Sequence, residues 1–175
     1  MSDWVTRAVE LGADAAQIIP TDQVVVADWV RLKCQYGCKA YGSRLTCPPH
    51  SPPPEVTQQV LRHYQQALLL RMERPGGGWK AETRKRRQMS EVVAALEREL
   101  FLAGHYRAWG MGAGPCRLCV ECDLSAPCRF PSQARPSMEA CGIDVYATVR
   151  QVGWDIEVVQ TAESPFRLFG LVLME

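Results

Sequence analysis

The chain contains eight cysteines among 175 residues, and their clustering limits its fold more than any other feature. Seven of them lie in two short segments rich in Gly and Pro, a composition typical of loops. The first cysteine group is Cys34, Cys38 and Cys47; the second cysteine group is Cys116, Cys119, Cys122 and Cys128; the eighth cysteine is Cys141. The fold must therefore present two cysteine-rich loops, and the thiols of those loops need a chemical use.

The expected cellular compartment limits the possible chemical uses of the cysteine thiols. The first residues of the chain carry acids without an apolar run, and no stretch of the sequence approaches the length of a membrane span. We therefore expect a cytoplasmic protein with no membrane segment. Structural disulfides are rare in a reducing cytoplasm, so metal ligation is the first explanation to test for the cysteines.

The spacing of the second cysteine group favours an iron–sulfur cluster. The segment follows the pattern Cys-x2-Cys-x2-Cys-x5-Cys from Cys116, which resembles the bacterial ferredoxin run except for a longer last gap. Structural zinc sites more often use two Cys-x2-Cys pairs with a longer stretch between them. We expect a 4Fe-4S cluster here, with zinc as the alternative. Gly112 and Gly114 precede the segment, and we expect their amides to approach the cluster sulfides.

The first cysteine group supplies three thiols and leaves a fourth ligand to be found. Cys47 is followed directly by Pro48, an order also seen at the last cysteine of ferredoxin runs. A second 4Fe-4S cluster could be completed by Cys141 or His50, or one iron could stay open to solvent or a substrate. Cys128 and Cys141 could also exchange between the two groups. The alternatives are a redox-switch disulfide in the first group and a buried, structural Cys141.

Strand-like and helical segments alternate through the middle of the chain, which favours an α/β fold. We expect residues 1–175 to form a single domain, in which one mixed sheet is flanked by helices and cysteine-rich metal-binding loops. The expected helices span about 4–12, 52–65, 79–103 and 136–153, with Ser2 capping the first and residues 76–78 forming a flexible connection. The expected strands span 18–20, 24–26, 67–72, 106–111, 156–160 and 166–174, while 27–33 fits either a strand or a helical turn.

The charge balance gives no reason to expect nucleic acid or an anionic membrane as a partner. Lys and Arg number 20, and Asp and Glu number 19. A basic run, Arg-Lys-Arg-Arg at residues 84–87, shares its predicted helix with several glutamates. We interpret this run as a solvated helix face, with a docking surface for an acidic redox partner as the alternative.

Three segments, KCQYGCKAYGSRLTCPP, GPCRLCVECDLSAPCRFP and RPSMEACGIDVYATV, resemble the signature segments of a cysteine-rich prokaryotic family. That family is the predicted metal-binding proteins with domain of unknown function 2284. The resemblance extends from about Val24 to the carboxyl terminus, and it implies metal binding by both cysteine groups without implying a reaction. The third segment also contains Arg135, Pro136, Ser137, Glu139, Cys141, Gly142 and Asp144. We expect these residues to pack beside the cluster loop.

Three functions fit this sequence. The first, which we favour, is an iron–sulfur protein that carries electrons to a redox partner protein, since no substrate pocket is visible in the sequence. The second is an enzyme whose open-site 4Fe-4S cluster binds a substrate or sulfur. It predicts a cleft beside the first cysteine group, faced by Tyr36, Tyr41, Arg44 or His50. The third is a structural zinc-binding interaction module. The sequence leaves the oligomeric state open.

Overall fold

The computed structural model describes residues 3–74, 78–161 and 163–175. Its helices are α1 (Trp4–Glu10), α2 (Asp28–Gly37), α3 (Pro54–Leu61), α4 (Gly78–Leu102) and α5 (Val145–Gln151). Its strands are β1 (Ala15–Pro20), β2 (Gln66–Arg74), β3 (Trp109–Met111) and β4 (Phe166–Met174). Short 3-10 helices cover Thr21–Gln23 and Glu139–Cys141. Asp3 caps α1 by accepting from the amides of Val5 and Thr6. Ser2, the expected cap, and residues 76–77 of the expected flexible connection lie outside the described residues.

The four strands form one sheet in the order β1-β2-β4-β3. The longest ladder joins β2 to β4 and runs from the pair Gln66 and Met174 to the pair Arg74 and Phe166. All three strand pairings are antiparallel. The α/β class is confirmed, but the expected mixed sheet is corrected to an antiparallel one. The reason is that β2 and β3 do run in the same direction, as strands joined by a helix often do, while β4 lies between them and opposes both.

Both faces of the central strand pair, β2 and β4, are buried. Side chains alternate across a strand, so Leu68, Leu70 and Met72 of β2 face helix α4, while Ala67 and Leu69 face the opposite side. The first face packs against residues of α4 that include Met89, Val93, Leu96 and Leu100. The second packs against a segment that includes Met138, Cys141, Ile143 and Val149. Burial on both faces explains why β2 reads as a continuous apolar run rather than an alternating one.

Several expected elements differ from the structure. Residues 28–33 belong to helix α2, with Ala27 as its N-cap residue, and residues 24–26 contribute only an isolated bridge from Val26 to Ile143. The expected helix at 136–153 is split into a 3-10 turn and α5. Gly142 separates the two with a left-handed φ of 80°, which ends the turn. Residues 156–160 form no strand.

Helix α4 is the longest helix, with 25 residues, and charged side chains interrupt its apolar stripe. Within the described ranges, no helix is long and apolar enough to cross a membrane. Helix α4 instead uses its apolar stripe to cover the sheet.

We expect Gly170→Ala to destabilise the protein because helix α4 approaches β4 too closely for a methyl group. A Cβ at Gly170 would lie 2.7 Å from Met89 Sδ and 3.1 Å from the Met111 carbonyl oxygen. Overpacking of this kind costs about 1–3 kcal/mol, measured as the free energy of unfolding in urea. Gly37→Ala is the control, since its Cβ would meet no atom within 4 Å. Equal stability of the two variants would contradict the packing of α4 on β4.

Candidate metal centre

The first cysteine group lies where helix α2 ends. Cys34 is in the last turn, and Cys38 is the C-cap residue, whose amide donates to the Cys34 carbonyl at 3.3 Å. Cys47 follows in the next loop and is buried. Burial raises the pKa of Cys34, and the neighbouring Cys38 adds to the rise. Burial and then Cys38 also raise the pKa of Cys47, to about 11. The three thiols therefore lie within electrostatic range of one another.

The second cysteine group lies in an irregular loop between β3 and the Glu139–Cys141 turn, and its four thiols are half-buried. Burial raises the pKa of Cys116, and Cys128 and Cys119 raise it further. Two backbone amides donate to sulfurs: Leu45 to Cys122 at 3.5 Å, and Phe130 to Cys128 at 3.4 Å. Such hydrogen bonds to sulfur tune the potential of iron–sulfur centres.

Arg44 joins the two cysteine loops. Its Nη1 donates to the Cys119 carbonyl at 2.8 Å, and its Nη2 donates to the Val120 carbonyl at 3.0 Å. Its positive charge lowers the pKa values of Cys47 and Cys116, in part offsetting the effect of burial. The guanidinium therefore lies within electrostatic range of both groups, and the loops that carry them are in direct contact.

The two candidates for a fourth ligand of the first group, Cys141 and His50, have different surroundings. Cys141 is 0% exposed and packs in the apolar core on the sheet face opposite α4. Burial raises its pKa to about 12. His50 lines a separate depression together with Cys128 and Pro131. In the described part of the chain, no set of three or more His, Cys, Asp or Glu side chains is arranged to hold a metal ion directly.

A cleft of about 530 Å³ opens beside the first cysteine group. All three thiols of the group line it, together with Tyr41. The rest of the wall is largely apolar and includes Trp29, Val30, Ile143, Tyr146, Phe166 and Phe169. Of the other residues expected to face such a cleft, Tyr36 is 80% exposed, Arg44 is bound to the second loop, and His50 lines the separate depression.

Arg86 is a site residue that the sequence interpretation missed. Within the basic run, Arg87 is exposed and pairs with Glu91, as a solvated helix face would. The Arg86 side chain is only 22% exposed, pairs with Glu82 and lines the cleft. The available signal was helical spacing, since residue 86 precedes Met89 by three residues and therefore shares its apolar face.

The structure shows a role for the missing side chain of Gly114 and a partner for the Gly112 amide. Gly114 has a φ of 68°, and a Cβ there would lie 2.0 Å from Nη1 of Arg86. Its missing side chain therefore makes room for that guanidinium. The Gly112 amide donates to the Pro136 carbonyl at 2.8 Å, so it is not free for a cluster sulfide. This bond, with the bridge from Gly112 to Ser137, packs the third motif segment beside the cysteine loop.

A mostly buried ion pair fixes the end of the second cysteine loop to helix α4. Arg135 donates to both carboxylate oxygens of Glu97, at 2.6 and 2.5 Å, and the side chains are 16% and 14% exposed. Glu97 also accepts from the Gly110 amide at 2.7 Å. One carboxylate thus ties strand β3, where the loop begins, to the segment where the loop ends.

We expect Glu97→Gln to destabilise the protein strongly, because it leaves the Arg135 guanidinium buried without its counter-charge. Breaking a buried pair on one side costs about 3 kcal/mol, measured by urea unfolding. Glu91→Gln on the same helix is the matched control. Its pair with Arg87 is exposed on both sides, so we expect a loss of less than about 1 kcal/mol. Similar losses in both variants would show that the Glu97 pair does not anchor the loop.

A family model described as predicted metal-binding protein (DUF2284) matches residues 17–174 of the chain. The matched range contains both cysteine groups, Cys141 and the third motif segment, in agreement with the family that the sequence motifs indicate. No curated protein and no solved structure matches the chain.

Proposed function

Because this chain belongs to the DUF2284 family of predicted metal-binding proteins, we propose that both cysteine groups hold iron–sulfur clusters and that the protein transfers electrons to a partner protein. The observation that carries the proposal is the contact between the two cysteine loops through Arg44. This contact brings together two loops that carry seven thiols from distant parts of the sequence. Structural zinc would need only four ligands.

The donor chemistry fits iron–sulfur ligation. Thiolates are the soft ligands that such clusters use, and the second group supplies four with ferredoxin-like spacing. The amides of Leu45 and Phe130 already donate to two of these sulfurs, as cluster-holding loops do. Near the first group, the Oε2 atom of Glu139 is buried without a hydrogen-bond partner among the described residues. Clusters in both places would supply one-electron transfer.

The surface of the second cysteine loop supports contact with a partner protein. Val120 is 94% exposed, and Leu124 and Phe130 are also exposed, although all three are large apolar side chains. They lie within two residues of Cys119, Cys122 and Cys128. Apolar side chains at a functional surface mark interaction sites, and a partner bound here would be close to the second cysteine group.

We expect the anaerobically purified protein to be brown and to contain about eight irons and eight sulfides, four of each per cluster. The double variants Cys34→Ser/Cys38→Ser and Cys116→Ser/Cys119→Ser should each retain about four irons, because each removes one group's ligands. Iron, sulfide and zinc analysis with an absorbance spectrum measures this.

Cys141→Ala is the control for these variants, and it should keep the full iron content because Cys141 packs in the core. A colourless protein with stoichiometric zinc would overturn the iron–sulfur proposal and favour a structural interaction module. The unaltered protein could instead contain about four irons that disappear only in the Cys116→Ser/Cys119→Ser variant. The first group would then have another role.

A second candidate function is favoured by the cleft. The first cysteine group opens into about 530 Å³ of largely apolar space, which is the size of a small-molecule site, whereas an electron carrier needs no cavity. On this reading the first group is part of an enzyme active site. The thiols hold the metal at one end of the cleft, and Trp29, Tyr41 and Tyr146 bind the apolar part of a substrate.

We expect benzenethiol, an apolar compound that can bind iron, to change the electron paramagnetic resonance spectrum of one cluster only. Ala40→Trp should weaken this effect on the order of tenfold, because Ala40 lines the cleft and the indole would occupy it. Val9→Trp is the control, since Val9 is exposed on helix α1. An unchanged spectrum at saturating benzenethiol would exclude the enzyme hypothesis. Electron transfer would then remain as the proposed function.

A further inference from the structure

We propose that Glu139 is the fourth protein ligand of the metal centre formed by Cys34, Cys38 and Cys47, bound through its carboxylate. The inference rests on the proposed metal binding by the first cysteine group and names a ligand that the cysteine pattern does not contain. An oxygen ligand in this position gives the centre one weakly held site, and that site opens to the cleft.

The other candidate ligands, Cys141, His50 and Asp144, are less suitable. Cys141 is 0% exposed, packs in the apolar core and is not among the described residues that line the cleft. His50 lines a separate depression. Asp144, the other acid on the cleft wall, caps helix α5 by accepting from the Ala147 amide at 2.9 Å.

Glu139 is held next to the first cysteine group. It begins the short 3-10 turn that packs against helix α2. The Cys34 thiol lies 3.9 Å from the Glu139 carbonyl oxygen. Glu139 lines the same cleft as the three cysteines, and its carboxylate is among the charges that raise the pKa of Cys34. The backbone of Glu139 therefore contacts this thiol, and its carboxylate lies within electrostatic range of it.

One oxygen of the Glu139 carboxylate, Oε2, is buried without a hydrogen-bond partner among the described residues. Buried polar atoms without partners are rare because their desolvation is not repaid. Arg31 is the nearby cation, but its guanidinium donates to the Pro52 carbonyl at 2.6 Å and to the Ser51 hydroxyl at 3.4 Å. An iron of a cluster held by the three thiols would supply the missing partner.

A carboxylate in this position differs chemically from a fourth thiolate. Oxygen is a harder donor than sulfur and suits soft, thiolate-bound metals less well. The iron that it holds is therefore the one most easily lost on oxidation or taken by an incoming ligand. Because Glu139 and the thiols line one cleft, exchange at this iron would take place inside the cleft.

The test measures iron release from the anaerobically prepared protein during mild oxidation with ferricyanide. In the unaltered protein we expect about one iron per chain to leave quickly, with the electron paramagnetic resonance signal of a three-iron cluster. Glu139→Cys should slow this release on the order of tenfold, and Glu139→Gln, which keeps the shape of the side chain, should accelerate it to a similar degree. Glu55→Cys, on the exposed start of α3, should leave the rate unchanged.

Failure of this inference can be distinguished from failure of the iron–sulfur proposal. Cys141→Ala should behave as the unaltered protein, and a faster loss in this variant would overturn the inference by making Cys141 the ligand. Unchanged rates in both Glu139 variants would also overturn it. If the unaltered protein holds zinc, the iron–sulfur proposal fails. X-ray absorption then tests Glu139 separately: an oxygen in the zinc ligand shell that is lost in Glu139→Cys supports it, and sulfur ligands alone overturn it.

Discussion

Burial of the central strand pair on both faces is the constraint on which the rest of the structure depends. Helix α4 covers one face of β2 and β4, and the segment from Met138 to Val149 covers the other. The second cysteine loop connects these two layers. It leaves the sheet after Met111 and re-enters the core at Met138, and both residues are 0% exposed. An irregular loop is thus fixed at both ends by apolar burial, and the Glu97–Arg135 pair adds a third attachment.

The fold class could be predicted from the sequence because it depends on local periodicity. The apolar stripe of α4 and the apolar runs of β2 and β4 are strong local signals, and each matches an observed element. The strand order could not be predicted, since the insertion of β4 between β2 and β3 is decided by contacts distant in sequence. The break at Gly142 is similar. A Cβ there would lie 2.7 Å from the Pro54 side chain, a contact that no local pattern shows.

The cysteines of the candidate site could be predicted from the sequence, but their charged neighbours could not. The cysteine spacing predicted two groups, and the structure places their loops in contact through Arg44. The sequence did not predict the roles of Arg86 and Glu139, because a charged side chain on a helix or in a turn is ordinarily solvated. The tertiary contacts of these two side chains distinguish them from solvated ones. Arg86 fills the space above Gly114, and a carboxylate oxygen of Glu139 is buried beside the first cysteine group.

The two cysteine groups differ in their surroundings, and this difference gives the proposed functions a common basis. The second group lies in a loop with exposed apolar side chains and has amide donors to its sulfurs, which suits exchange of electrons with a partner protein. The first group faces an apolar cleft and an unpartnered carboxylate oxygen, which suits binding of a small molecule. Arg44 holds the two loops together. With clusters in both groups, as proposed, electrons received at the second group would pass to the first group across loops that are in direct contact.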